Sequence, residues 1–181
     1  IENNLLYLCF QPILDIHERT IISLEGLVRW RHPGHGEIRP EEFVPLAEQT
    51  GNIAKLTHWV LREGLTRLVQ LEQAGFGAIG ISLNLSAIDL ESVDYLERLD
   101  ALLQETGADP GRLTLELTET SMMSDPELAL AVLRQIQARG IAIAMDDFGT
   151  GYSSLSYLRE LPLRKIKIDK ALIQGFEDSE D

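Results

Sequence analysis

The chain has 181 residues, 44% of them hydrophobic and 25% charged, with a formal net charge of −13. That is the size of a single domain with enough apolar material for a core. Such an acid excess excludes general adhesion to DNA, RNA or anionic lipid, which need basic stripes, while leaving room for an anionic ligand bridged by cations.

Cys9 is the sole cysteine, so an intramolecular disulfide and a thiolate zinc site are both excluded. This suits a reducing, cytoplasmic compartment. No run approaches the length of a membrane-spanning helix, and no signal peptide is visible. The chain opens at Ile1 instead of a methionine and is expected to be a piece of something longer.

Residues 5–15 form an apolar, partly aromatic run broken by Pro12, which predicts a strand. Residues 21–30 predict a second strand, and the two pair as a hairpin. Two prolines and two glycines make 32–40 a loop. Pro40-Glu41-Glu42 opens a short helix, with proline at the first helical position and acids in the first turn. Residues 53–74 show helical recurrence of apolar positions, ended by Gly75 and Gly77. A helix is expected over 93–106, stopped by Gly107 and Asp109-Pro110-Gly111. Asp125 and Pro126 predict the cap and first residue of another, which ends at Gly140. Between these helices lie strand-like segments at 79–86, 113–119, 141–148 and 163–169. Strand and helix alternating at this pace imply parallel strands joined by right-handed crossovers. The acidic stretch 176–181 reads as a loop or a frayed end.

Five of the strands place polar groups on one face and aliphatic groups on the other, because side chains alternate along a strand. Glu25 shares a face with Arg29. Ser82, Asn84 and Ser86 share another, as do Thr114, Glu116 and Thr118. Asp146 follows Ala142 and Ala144, and Lys165, Lys167 and Asp169 line the last. The opposite faces, Ile81-Leu83-Leu85, Leu113-Leu115-Leu117, Ile141-Ile143-Met145 and Ile166-Ile168, require helical cover. The polar faces then converge at one end of a β/α barrel, where catalytic groups sit.

Asp146-Asp147 is the sharpest local signal. Neighbouring residues in a regular strand face opposite ways, so both reach one site only if the strand ends there; Gly149 and Gly151 supply that end. Carboxylates so close repel unless cations lie between them. The bland alternative is a solvated acidic turn, weighed against the company of Glu25, Asn84 and Glu116. Oxygen ligands without histidine or thiol suit Mg²⁺ or Mn²⁺, and two such ions suit phosphodiester hydrolysis. Lys167 faces the same cluster, either orienting water as a charged group or closing an interior ion pair. Arg29 is either a bidentate phosphate grip or a surface arginine. Glu119 either holds the 149–154 loop by hydrogen bonds or forms a structural salt bridge. His32 and His35 read as solvated, and Trp30 and Trp59 as packing residues.

These residues resemble the EAL-domain cyclic di-GMP phosphodiesterases of bacteria. The likeness runs through Gln11-Pro12-Ile13, Leu24-Glu25-Gly26-Leu27-Val28-Arg29-Trp30, Pro40-Glu41-Glu42-Phe43-Val44-Pro45, Asn84-Leu85-Ser86, Glu116-Leu117-Thr118-Glu119, Asp146-Asp147-Phe148-Gly149-Thr150-Gly151-Tyr152-Ser153-Ser154 and Lys167-Ile168-Asp169. The resemblance implies an α/β fold, a modified TIM-like barrel with one antiparallel strand, and hydrolysis of cyclic di-GMP to linear pGpG with Mg²⁺ or Mn²⁺. It implies metal ligation by Glu25, Asn84, Glu116, Asp146 and Asp147, and water assistance by Lys167. It implies ligand contacts from Gln11, Leu27 and Arg29, and a loop anchor at Glu119. It further implies dimerisation near the 147–154 loop and fusion to sensory or GGDEF domains, with cytoplasmic placement, including as part of a membrane-anchored protein. Ca²⁺, larger and looser in geometry, is expected to inhibit.

Two departures stand out. The family's name-giving alanine is Gly26 here, expected to loosen the strand locally at a cost of roughly up to 1 kcal/mol. The family domain also continues past residue 181 with the closing strands, a further catalytic Glu and a late Gln. The chain is therefore expected to be the N-terminal and central part of such a domain, and to be inactive alone if those elements are missing. The alternative function is a catalytically silent receptor for cyclic di-GMP or an interaction module.

Overall fold

The computed structural model describes residues 5–118, 125–149 and 158–177, with backbone alone at 174–177. Its first two strands, β1 (Leu6–Asp15) and β2 (Thr20–His32), form the expected antiparallel hairpin. The segment expected as a loop contains a short strand, β3 (Gly36–Ile38), which folds back on β2. Its turn is made possible by Gly36, at φ 73°. The sheet therefore has two antiparallel neighbours of β2 where one was expected.

Two helices follow, α1 (Pro40–Gln49) and α2 (Ile53–Gln73). The inward stripe of α2 is Ile53, Leu56, Val60, Leu61, Leu65 and Leu68, all buried. Strand β4 (Gly80–Asn84) runs into a five-residue helix, α3 (Ala87–Glu91), which periodicity had not suggested. Then come α4 (Tyr95–Thr106), a single 3₁₀ turn at Pro110–Arg112 and β5 (Leu113–Thr118). Helix α5 (Pro126–Ala138) starts where the sequence predicts, with the Asp125 carboxylate accepting from the Leu128 N–H. Strands β6 (Ala142–Phe148) and β7 (Lys165–Ile168) and helix α6 (Lys170–Glu177) complete the described chain.

The sheet order is β1-β2-β4-β5-β6-β7, parallel from β2 to β7, with β3 off the path. Among the described residues it runs from β1 to β7 without closing, in keeping with part of a barrel-like α/β fold. The aliphatic faces of β4, β5 and β6 are buried as expected: Ile81, Leu83, Leu85, Leu113, Leu115, Leu117, Ile143 and Met145. The outer face of β7 departs from expectation, since Ile166 is 49% and Ile168 56% exposed.

Gly26 also behaves differently from the loosening expected of it. A Cβ there would lie 2.6 Å from Leu83 Cδ2, and a Cβ on Gly64 of α2 would lie 2.5 Å from Leu83 Cδ1. Leu83, fully buried, thus occupies the space that two glycines leave, and Phe10 pairs across from Gly26. The missing methyl is replaced by packing.

Candidate functional site

The sheet register gathers the polar faces at the C-terminal ends of the parallel strands. Glu25 pairs with Ser82, Asn84 with Glu116, and Thr118 with Asp146. Lys167, on β7, reaches across to all three acids: its Nζ lies 2.6 Å from Glu116 Oε2, 3.1 Å from Glu25 Oε2 and 3.1 Å from Asp146 Oδ2. One oxygen from each of Glu25, Glu116 and Asp146 lies within 4.8 Å of the other two, close enough for a shared cation. Their all-oxygen donor set is that of a hard divalent ion.

Burial works against the Lys167 charge, but the carboxylates of Glu116, Glu25 and Asp146 outweigh it and hold the ammonium well above its ordinary pKa. Burial also pushes the Glu116 carboxyl up. Lys167 opposes that shift, and Glu25 and Asp146 add to it. Lys167 therefore stays charged, which fits a group that orients and stabilises better than one that removes a proton.

Asp147 lies beside this trio, exposed, and reaches that place by a different route from the one expected. The strand ends at Phe148, just before Gly149, as the sequence predicts, but its pairing to β7 is interrupted between Met145 and Phe148. At this bulge Asp147 has φ 53°, a left-handed conformation uncommon outside glycine and tolerated best by Asn and Asp. Its N–H donates to Asp146 Oδ1 at 3.0 Å. Burial, then Asp146 and Asp169, raise the Asp147 carboxyl pKa, against the pull of Lys167. The bulge is what lets adjacent carboxylates serve one end of the sheet.

Beside the trio lies a cleft of about 490 Å³ whose lining includes Leu27, Arg29, Asn84, Ser86 and Thr118. Asn84 is exposed at the end of β4, and the next residue, Leu85, donates its N–H to the Glu116 carbonyl at 2.8 Å. Arg29 turns one nitrogen to the Val28 carbonyl at 2.9 Å. Gln11 stands opposite Glu25 across the β1–β2 pair, hence on the same face of the sheet. Trp30 packs edge-on against Phe43, as a packing residue should. Glu119 and residues 150–154 lie outside the described residues.

Sequence reasoning passed over three polar residues near Asn84. Glu48 of α1 accepts from the Ser86 hydroxyl at 3.0 Å, and Asp89 of α3 accepts from the Thr57 hydroxyl of α2 at 2.6 Å. The one local signal was the spacing Ser86-x-x-Asp89 at a helix start. The partners of both residues are far away in the chain.

The EAL domain family matches residues 1–181. A bifunctional diguanylate cyclase/cyclic di-GMP phosphodiesterase of Pseudomonas aeruginosa, MucR, is 38% identical over 182 residues, covering 100% of this chain and 27% of the relative. The cyclic di-GMP phosphodiesterase NbdA of the same organism is 36% identical, covering 99% of this chain and 23% of the relative. The chain thus spans about a quarter of the length of these curated relatives. Among solved structures, the PaMucR phosphodiesterase in a c-di-GMP complex superposes with a TM-score of 0.93 at 38% identity, covering 99% of this chain and 73% of that one. Matched over its full length, the chain belongs to the EAL-domain family.

Proposed function

We propose that this chain carries the metal-binding part of a phosphodiesterase that hydrolyses cyclic di-GMP to linear pGpG. The observation that carries the reading is the convergence of Glu25, Glu116 and Asp146 on Lys167. Relatives named as cyclic di-GMP phosphodiesterases support the choice of substrate. Glu25, Asn84, Glu116, Asp146 and Asp147 would hold two ions, Mg²⁺ or Mn²⁺, with Ca²⁺ as an inhibitor. Bound ions of this kind make a metal-activated nucleophile available near neutral pH and neutralise phosphate charge.

The residues of the chain do the rest. Water adds to one phosphorus, the P–O3′ bond breaks, and the leaving oxygen takes up a proton. Lys167, kept charged by its acids, orients the water and offsets charge that builds on the phosphate. Arg29 swings from the Val28 carbonyl to a phosphate, which it grips through two nitrogens. Leu27 forms an apolar wall and Gln11 a polar contact.

The test is turnover of cyclic di-GMP by the full-length protein with Mg²⁺ or Mn²⁺ and then with EDTA. Metal-dependent appearance of pGpG, abolished by Asp146→Asn, is expected. Tight binding without turnover would make the protein a receptor instead. Activity untouched by Ca²⁺ would count against a site built for octahedral Mg²⁺.

A further inference from the structure

Asp89 is 1% exposed, and in α3 it sits only five positions after Asn84. Its Oδ2 accepts from Thr57, itself 6% exposed, while its Oδ1 has no hydrogen-bond partner among the described residues. The Tyr95 hydroxyl nearby is likewise buried and unpartnered among them. Burial pushes the Asp89 carboxyl up, and the Thr57 hydroxyl and the Ser86 N–H pull it partly back. A buried carboxylate with one full hydrogen bond, from Thr57, and only the Ser86 N–H nearby to assist it costs stability compared with an apolar side chain. Local rules broken at a cost tend to mark functional positions.

The cost has a geometric counterpart. The arm 84–86 leaves β4 and is tied at three points. Leu85 donates to the Glu116 carbonyl on β5, Ser86 donates to Glu48 on α1, and α3 is pinned to α2 through Asp89 and Thr57. Ser86 also caps α3 by accepting from the Ile88 N–H at 3.3 Å. The last two ties fix where the arm leaves the sheet, and with it the place of Asn84 beside Glu116.

We infer that Asp89 is a positioning residue, which with Thr57 clasps α3 to α2 and so holds Asn84 where it completes the metal site. The inference rests on the reading of Asn84 as a metal ligand. A residue that holds a ligand in place shifts metal affinity by about 10- to 100-fold when lost.

The test compares Asp89→Leu, Thr57→Val and Asp89→Asn in the full-length protein. It reads Mn²⁺ affinity by titration calorimetry or electron paramagnetic resonance, and Tm separately in EDTA. Asp89→Leu and Thr57→Val should both weaken Mn²⁺ binding about tenfold. Their Tm values should move in opposite directions, because the first removes a buried charge and the second strips that charge of its donor. Asp89→Asn, whose amide oxygen still accepts from Thr57, should restore affinity to within a few-fold of the parent. Wild-type affinity in the first two variants, or affinity that merely tracks Tm, overturns the inference. If the parent binds Mn²⁺ no better than Asp146→Asn does, the metal reading falls and this inference with it.

Discussion

Three carboxylates meet one ammonium at Lys167, and their spacing leaves them repelling one another without it. Replacing Lys167 with Met should therefore destabilise the metal-free protein by about 3 kcal/mol, the usual cost of leaving buried charge unpaired. Millimolar Mg²⁺ should recover part of that loss, as urea unfolding with and without the ion would show. Glu116 adds a pH dependence of opposite origin. Its folded-state pKa is raised, chiefly by burial. Its contribution to stability is then fully present below the unfolded value, about 4.3. It is lost as pH rises through the folded value. The metal-free protein should gain stability from this group as pH falls toward that unfolded value, and Glu116→Gln should remove that part of the slope. Divalent cations need the deprotonated form, so stabilisation by Mg²⁺ should grow as pH rises. Thermal melts across pH, in EDTA and in Mg²⁺, check both. These acids were legible in the sequence because alternation alone assigns Glu25, Glu116 and Asp146 to interior faces. The bulge that turns Asp147 left-handed was not, since it arises from β6 pairing with β7 and leaves no periodic trace.

Between elements, the most informative contact is Leu83 wedged between Gly26 of β2 and Gly64 of α2. Restoring the family alanine by Gly26→Ala should not tighten this protein. The added methyl meets Leu83 Cδ2, and overpacking of this kind costs about 1–3 kcal/mol. Pairing Gly26→Ala with Leu83→Val should cost less than the sum of the two single changes, a coupling that a double-mutant cycle in urea would measure. Additive costs would mean that Leu83 yields freely and that the glycine is incidental. The same contact shows where sequence reading stops. Helix starts such as Asp125-Pro126 and the alternation of β4, β5 and β6 are local properties and were read correctly. The partner of Gly26 lies on β4 and the second glycine on α2, and no spacing rule connects them. For the same reason β3, the clasp of Thr57 on Asp89 and the exposed outer face of Ile166 and Ile168 came only with the fold. Each depends on which distant element lies alongside.

At the scale of the molecule, a net charge of −13 works for the proposed metal ions and against the proposed ligand. A cyclic dinucleotide carries two phosphate charges, so metal-free protein should bind it weakly, and added salt should strengthen that weak binding by screening the repulsion. Divalent cations experience the opposite field. Raising monovalent salt from about 0.01 M to about 0.15 M shortens the Debye length from about 30 Å to about 8 Å. The trio at Glu25, Glu116 and Asp146 is partly buried and little screened, whereas the remaining surface acids are fully exposed to that change. Mn²⁺ affinity should therefore fall several-fold over this range and then level off, the plateau being set by the trio and the slope by the rest of the surface. Titration calorimetry in a non-chelating buffer separates the two contributions. A salt-independent affinity would place all of the attraction at contact distance. An affinity that fell without a plateau would mean that the trio is no more than part of a diffuse acidic surface, and the metal reading would fail.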